Sequence, residues 1–237
     1  MAEGKSNELK KNFTLAKELN ADILQKPLDL MEISFPTNKI TFIHNPIQRF
    51  SKKPTLWYQI TQLMKSAQKS VFIQSPYIIP SQSMVKGYLH KEDFTNKDIF
   101  ILTNSLASTP NLPAYSGYLN HREKLVDYNF NILEFQSQDS LHTKAFVVDN
   151  NLLGIGSFNF DHRSAFLSTE SMVIIHSIEA VQKLEEGLQD YIGTSLLVGK
   201  DYNYIVNKNI PEIPVNPAKN HLIKISSYII RWFEYLL

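Results

Sequence analysis

The chain is 237 residues long with 43% hydrophobic and 20% charged residues, enough for one large domain or two small ones and a balance that excludes wholesale disorder and collagen-like repetition. Twenty-four Lys and Arg against 23 Asp and Glu leave a net charge of +1, which excludes a surface given over to nucleic-acid phosphates but allows a local basic site. With no cysteine there is no disulfide, no thiolate metal site and no cysteine nucleophile.

Residues 5–25 place Leu9, Phe13, Leu15, Ala16, Leu19, Ile23 and Leu24 among Lys, Glu and Asn, which predicts an amphipathic helix. The opening residues, Met1 to Glu8, hold no apolar run, so no secretory signal is expected, and no uncharged apolar run reaches the roughly 18 residues of a spanning helix. After Pro27 the texture turns to short β-rich runs at 39–43, 70–74, 98–103, 131–135, 141–148 and 171–175. Helical patterns separate several of them, at 55–68, 81–92, 113–128 and 177–192. Strand alternating with helix predicts an α/β fold with a largely covered sheet. Pro211, Pro214 and Pro217 make 205–219 an extended connector to a last helix. The expected divisions are 1–36, a helical N-terminal segment; 37–204, the α/β domain; and 205–237, the connector and amphipathic helix.

The chemistry is concentrated in Leu141 to Asp149 and Gly156 to Asn159. In a strand over 141–148, His142 and Lys144 would share a face with Cα atoms about 6.6 Å apart and could straddle one phosphate. An imidazole can attack phosphorus or exchange a proton with the bridging oxygen, while an ammonium neutralises the non-bridging oxygens. Ser157 and Asn159 have the same parity and would add a hydroxyl and a carboxamide as donors, or merely form a turn. Glu170, at the start of the next strand, could accept the imidazole's second N–H, or be an ordinary strand-edge carboxylate. Thr103-Asn104-Ser105 is a weaker candidate at a strand end. Arg163 reads as a substrate contact or as a surface ion pair with Asp161. No His, Asp and Glu cluster has metal-ligand spacing, and no cofactor is expected.

The arrangement His142-x-Lys144-x4-Asp149-x6-Gly156-Ser157-x-Asn159 resembles the signature of the phospholipase D superfamily at every fixed position. Ser75-Pro-Tyr-Ile-Ile-Pro80, Ile101 to Ser108, Gly117-Tyr118 with Arg122, and Gly156 to Ser164 with Thr169-Glu170 are similar to the C-terminal half of bacterial cardiolipin synthases. The resemblance implies a phospholipase D fold, a mixed sheet flanked by helices that is one half of a pseudo-twofold pair, and a metal-independent, two-step phosphodiester reaction through a phosphohistidine. It implies His142, Lys144, Asn159 and Glu170 as catalytic residues, Ser157 and Arg163 as substrate contacts, and Asp149 and Gly156 as structural members of the motif. It also implies two motifs per site, and this chain has one: His44, His90, His121, His162, His176 and His221 lack a lysine two residues on.

The expectation is therefore phosphatidyl transfer between phospholipids, with a phosphatidylglycerol-like substrate, by the C-terminal half of a two-motif enzyme. The second motif would come from an upstream half or from a homodimer mate. A homodimeric phosphodiesterase or nuclease, disfavoured by the near-neutral charge, and a non-catalytic lipid-binding half are the alternatives. The expected location is cytoplasmic, peripheral on the inner face of the bacterial membrane. In the last helix Lys224, Ser227, Arg231 and Glu234 form one polar stripe and nearly everything else is apolar. That pattern fits either packing on a protein core or a helix lying in a membrane interface, the membrane surface then being a partner.

Overall fold

A computed structural model describes residues 2–21, 29–48 and 52–237, and the chain divides into two compact units, Met1–Phe35 and Pro36–Leu237. The first unit carries α1 (Ala2–Leu19). Its Leu9, Phe13 and Leu19 are exposed, and Lys17 lies over the Phe13 ring. Helix is expected as far as residue 25, but Asn20 forms a turn, its side chain donating back to the Ala16 carbonyl. Ile23 and Leu24 lie outside the described residues.

The second unit is built on eight strands: β1 (Lys39–His44), β2 (Ser70–Gln74), β3 (Asp98–Asn104), β4 (Asn131–Phe135), β5 (Lys144–Val148), β6 (Leu152–Gly156), β7 (Ser171–His176) and β8 (Ser195–Leu197). Its helices are α2 (Thr55–Ser66), α3 (Gln82–Val85), α4 (Leu112–Asp127), α5 (His162–Phe166), α6 (Ile178–Gly193) and α7 (Pro217–Phe233). The strands form one sheet in the order β1-β7-β6-β5-β2-β3-β4-β8. β2, β3 and β4 are parallel neighbours and the other pairs antiparallel, so the mixed α/β sheet expected from the sequence is present.

Two expectations about elements fail for local reasons. The helix expected over 81–92 is one turn, α3, and a 3-10 turn at Lys91–Phe94, because Gly87 adopts φ of +81° and breaks the run between them. The short strands β6 and β8 were not expected. β6 contains Gly154 and Gly156, which weaken any strand pattern. A Cβ at Gly154 would stand 2.2 Å from the ring of Phe146, its register partner on β5, so the glycine makes room for that ring.

Alternation sorts the strand side chains between two faces. Val71, Ile73, Ile99, Ile101, Ile132, Phe146 and Val148 join Leu56, Trp57 and Ile60 of α2 and Tyr118 and Val126 of α4 in the larger core. Ala145, Val147 and Leu153, with Leu102 and Leu141, face α6 through Val181 and Leu188. Burying each such aliphatic side chain contributes roughly 1.5–3 kcal/mol. Trp57 stacks on Phe158 at 6.0 Å and meets Phe160 edge-on at 6.1 Å, which clamps the loop after β6 onto the core. Glu134 is fully buried on β4, where it accepts from Tyr118 Oη, Tyr204 Oη and Arg122 Nε.

Candidate active site

Most of the singled-out residues lie where β2 and β3 end, β5 begins and β6 gives way to the loop carrying Ser157 and Asn159. At the end of β3, buried Asn104 accepts from the Leu141 N–H at 3.0 Å and donates to the Leu141 carbonyl at 3.1 Å. Both backbone groups of Leu141 are thereby taken, and the β5 ladder starts only at Lys144. The strand expected over 141–148 is thus shorter by three residues, and His142 sits in irregular chain just ahead of it.

His142 and Lys144 consequently do not straddle a gap; they touch. The exposed His142 ring has the Lys144 ammonium 2.9 Å from Nδ1 and 3.2 Å from Nε2, and the ammonium donates to the His142 carbonyl at 2.6 Å. Lys144 itself is buried. Burial and then the Lys144 charge lower the His142 pKa, which favours the neutral imidazole. Burial also lowers the Lys144 pKa, against the opposing pull of the Glu170 and Asp161 carboxylates.

β6 ends at Gly156, opposite Lys144 in register. A Cβ there would lie 2.2 Å from the Ser171 carbonyl oxygen and 2.7 Å from Met172 Cα, so β7 can approach this closely only past a glycine. Ser157 ties the same two strands, its Oγ accepting from the Ser171 N–H at 3.1 Å. Asn159 donates its backbone N–H to Ser164 Oγ at 3.2 Å, while its Oδ1 is buried and meets no donor among the described residues. Buried Asp161 caps α5 by accepting from the Ser164 N–H at 2.7 Å, and burial raises its pKa.

Glu170 lies next to the first residue of β7 and makes no hydrogen bond to His142; the nearby charge it influences is Lys144. Its expected bond to the imidazole is therefore absent in this arrangement. Arg163 is exposed and its side chain forms no ion pair or hydrogen bond among the described residues, while its backbone N–H donates to Leu237 O. Asp149 lies at the opposite end of β5, about 16 Å of strand from Lys144. There its carboxylate accepts from the N–H groups of Gln68, Lys69 and Ser70.

Two residues of this cluster lay outside the candidate set or at its edge. Asn104 was a weak strand-end candidate, and the reciprocal bonds to Leu141 give it a positioning function. Asp161 entered only as an ion-pair partner for Arg163, although an Asp with Ser three residues on is itself a helix-capping pattern. No group of three or more His, Asp or Glu among the described residues could hold a metal ion. No helix among them is long and apolar enough to cross a membrane.

A family model described as cardiolipin synthase, PLD-like domain, matches residues 60–192, more than half of the chain. An uncharacterized protein of Helicobacter pylori is 35% identical over 141 residues, covering 54% of this chain and 28% of that protein. Cardiolipin synthase C of Escherichia coli is 32% identical over 145 residues, covering 54% of this chain and 30% of that protein. The chain thus spans less than a third of these relatives' length. Among solved structures, Nuc from Salmonella typhimurium, a phospholipase D family member, aligns with a TM-score of 0.54 at 16% identity, covering 67% of this chain and 97% of Nuc. Phosphatidylserine synthase of Haemophilus influenzae aligns with a TM-score of 0.57 at 14% identity, over 84% of this chain and 48% of that one. At these identities the structures establish a shared fold.

Proposed function

This chain belongs to the cardiolipin synthase PLD-like domain family, and from that premise we propose that it supplies one half of a two-motif site for phosphatidyl transfer between phospholipids. The observation that carries the reading is the contact between His142 and Lys144 at the start of β5, with Asn159, Asp161 and Glu170 around it. A neutral imidazole beside a buried ammonium suits a phosphodiester.

In this reading the histidine of a second motif attacks phosphorus. The bond from phosphorus to the leaving alcohol breaks as His142 donates its proton to that oxygen, giving a phosphohistidine. His142, now neutral, accepts the hydroxyl proton of the incoming alcohol, whose oxygen displaces the histidine and completes the new diester. Lys144 turns from the imidazole to the non-bridging oxygens, and the Asn159 carboxamide adds a donor to them. The Glu170 and Asp161 carboxylates favour the charged form of Lys144 against its burial, Ser157 and Gly156 fix the spacing of β6 and β7, and exposed Arg163 receives the headgroup. On this proposal the protein works at the inner face of the bacterial membrane. A pair of identical chains is the second reading, favoured by the likeness to nearly the whole of the Salmonella protein.

The test is phosphatidyl transfer in phosphatidylglycerol vesicles by this chain alone and with an added upstream half carrying the second motif. Turnover only in the mixture supports a divided enzyme. Turnover of the chain alone that rises with concentration and is poisoned by added His142→Ala chains supports a homodimer. Full turnover by a demonstrated monomer overturns the two-histidine site.

A further inference from the structure

α7 meets the rest of its unit along one line of residues. Ile223 is buried, Ser226 Oγ lies 2.5 Å from Ser116 Oγ on α4, and Asn120 Nδ2 donates to the Ser227 carbonyl. Glu234, just beyond the helix, turns inward onto His121 Nε2 at 2.6 Å. Half of the expected solvent stripe, Ser227 and Glu234, thus faces protein, and Lys224 and Arg231 remain exposed. On the opposite side Leu222, Ile225, Tyr228, Ile229, Trp232 and Phe233 are all exposed, Tyr228 at 72% and Trp232 at 80%. At 100° per residue these six cover an arc of roughly 140°.

The arc is graded. Lys224 and Arg231 form one border; Tyr228 comes next, then exposed His221, then Trp232 and Ile225, then Ile229, Leu222 and Phe233. Cation, amphipathic aromatic and aliphatic follow one another as phosphate, headgroup boundary and acyl chain do in a lipid leaflet. Glu234 is the one Asp or Glu between residues 217 and 237; it pairs with His121, and neither Lys224 nor Arg231 forms an ion pair among the described residues. Lys219, on the inner side, is occupied by the Leu106 and Thr109 carbonyls. A 17-residue helix is about 26 Å long, and none of the chain's described helices can cross a bilayer, so such a helix lies along the surface.

We propose that the exposed face of α7 docks on an anionic lipid surface, its aliphatic residues below the headgroups and Lys224 and Arg231 on lipid phosphates. The end of α7 is joined to the candidate site: Leu237 accepts from the Arg163 N–H on α5, four residues beyond Asn159. A docked α7 would therefore set the height of α5 and the Asn159 loop over the leaflet. The proposal deepens the membrane-surface reading above but rests on the exposed helix, and its readout needs no turnover.

The experiment is co-sedimentation of the full chain with vesicles of equal parts phosphatidylglycerol and phosphatidylcholine, and with phosphatidylcholine alone. Ile225→Glu/Ile229→Glu/Trp232→Glu should lower the apparent partition coefficient more than tenfold. Lys224→Gln and Arg231→Gln should each lower it about fivefold on the anionic vesicles and little on the neutral ones. Vesicle binding by the triple variant equal to that of the unchanged chain overturns the proposal, as does a dimer lost in that variant while vesicle binding persists. Should the triple variant aggregate, quenching of tryptophan fluorescence by brominated lipid in the unchanged chain decides. Trp57 is shielded at 2% exposure, so quenching reports Trp232 in the leaflet, and its absence refutes the docking.

Discussion

Replacing Asp149 separates the scaffold of the motif from its chemistry. The carboxylate accepts three backbone N–H groups, from Gln68 at 2.7 Å, Lys69 at 2.8 Å and Ser70 at 3.0 Å, and so pins the β5–β6 turn to the start of β2. Hydrogen bonds to a charged acceptor contribute about 1.5–3 kcal/mol when sheltered. Gln68 and Lys69 are exposed and water can replace the acceptor there, so about 1 kcal/mol per bond is the better scale. Asp149 also holds φ of +50°, where alanine adds about 1 kcal/mol of strain that glycine avoids. Asp149→Ala is therefore expected to cost about 3–4 kcal/mol, and Asp149→Gly about 1 kcal/mol less. At roughly 2–4 °C per kcal/mol the alanine variant melts about 6–16 °C lower. Burial works to raise this carboxyl, but the three N–H bonds outweigh it and its pKa is lowered. The stability it contributes is complete above the unfolded carboxylate pKa and is lost as pH falls through the lowered folded value; Asp149→Asn should lack that step. The assay is thermal melting against pH, beside turnover in the complete two-motif enzyme well below the melting point. Turnover should fall less than threefold in molecules that remain folded. A hundredfold loss of turnover with an unchanged melting curve would refute the structural assignment.

Three further outcomes follow from the same geometry. His142→Ala and Lys144→Ala should each reduce turnover of the complete enzyme by about 10²–10⁴-fold with near-native melting, and either variant retaining a tenth of the normal rate excludes that residue from the chemistry. EDTA should leave turnover unchanged, since the charge stabilisation proposed comes from Lys144 and Asn159; a loss restored by a divalent ion would contradict it. Glu134→Ala should cost about 3–5 kcal/mol because it strands the largely buried Arg122 guanidinium, read as a melting drop on the order of 10 °C, and a change under 2 °C would show that the Tyr118–Arg122–Tyr204 network does not depend on its carboxylate.

The fold was legible wherever periodicity was strong. Ser70–Gln74 and Asn131–Phe135 have the predicted bounds, and α2, α4 and α6 lie within two residues of theirs; short apolar runs between polar residues marked the two strands, and apolar stripes marked α2 and α6. β6 was hidden by Gly154 and Gly156, whose missing side chains are a packing requirement of Phe146 and β7 that no local window contains. Spacing singled out His142, Lys144, Gly156, Ser157 and Asn159 as candidates; their mutual geometry was not legible in it. Asn104 lies 37 residues before Leu141, yet its two hydrogen bonds decide where β5 begins, and hence that His142 leaves the strand and folds against Lys144.

The contacts around the site fall into two kinds. Asn104, Asp149 and the buried Glu134 spend their hydrogen-bonding capacity on backbone or on fixed partners, as scaffold groups do. The reagents are differently placed. Asn159 Oδ1 is a buried acceptor without a donor among the described residues, at a cost of about 1–3 kcal/mol. An asparagine carboxamide presents donor in place of acceptor by a half-turn of its terminal torsion, and an arriving phosphate would reward that turn. The Lys144 ammonium, resting on a neutral imidazole, likewise has a weaker partner than a phosphate oxygen would be. On the proposed reading, the polar groups left with the poorest partners are those that a phosphodiester would engage, whereas the groups that only hold the strands in place are already satisfied.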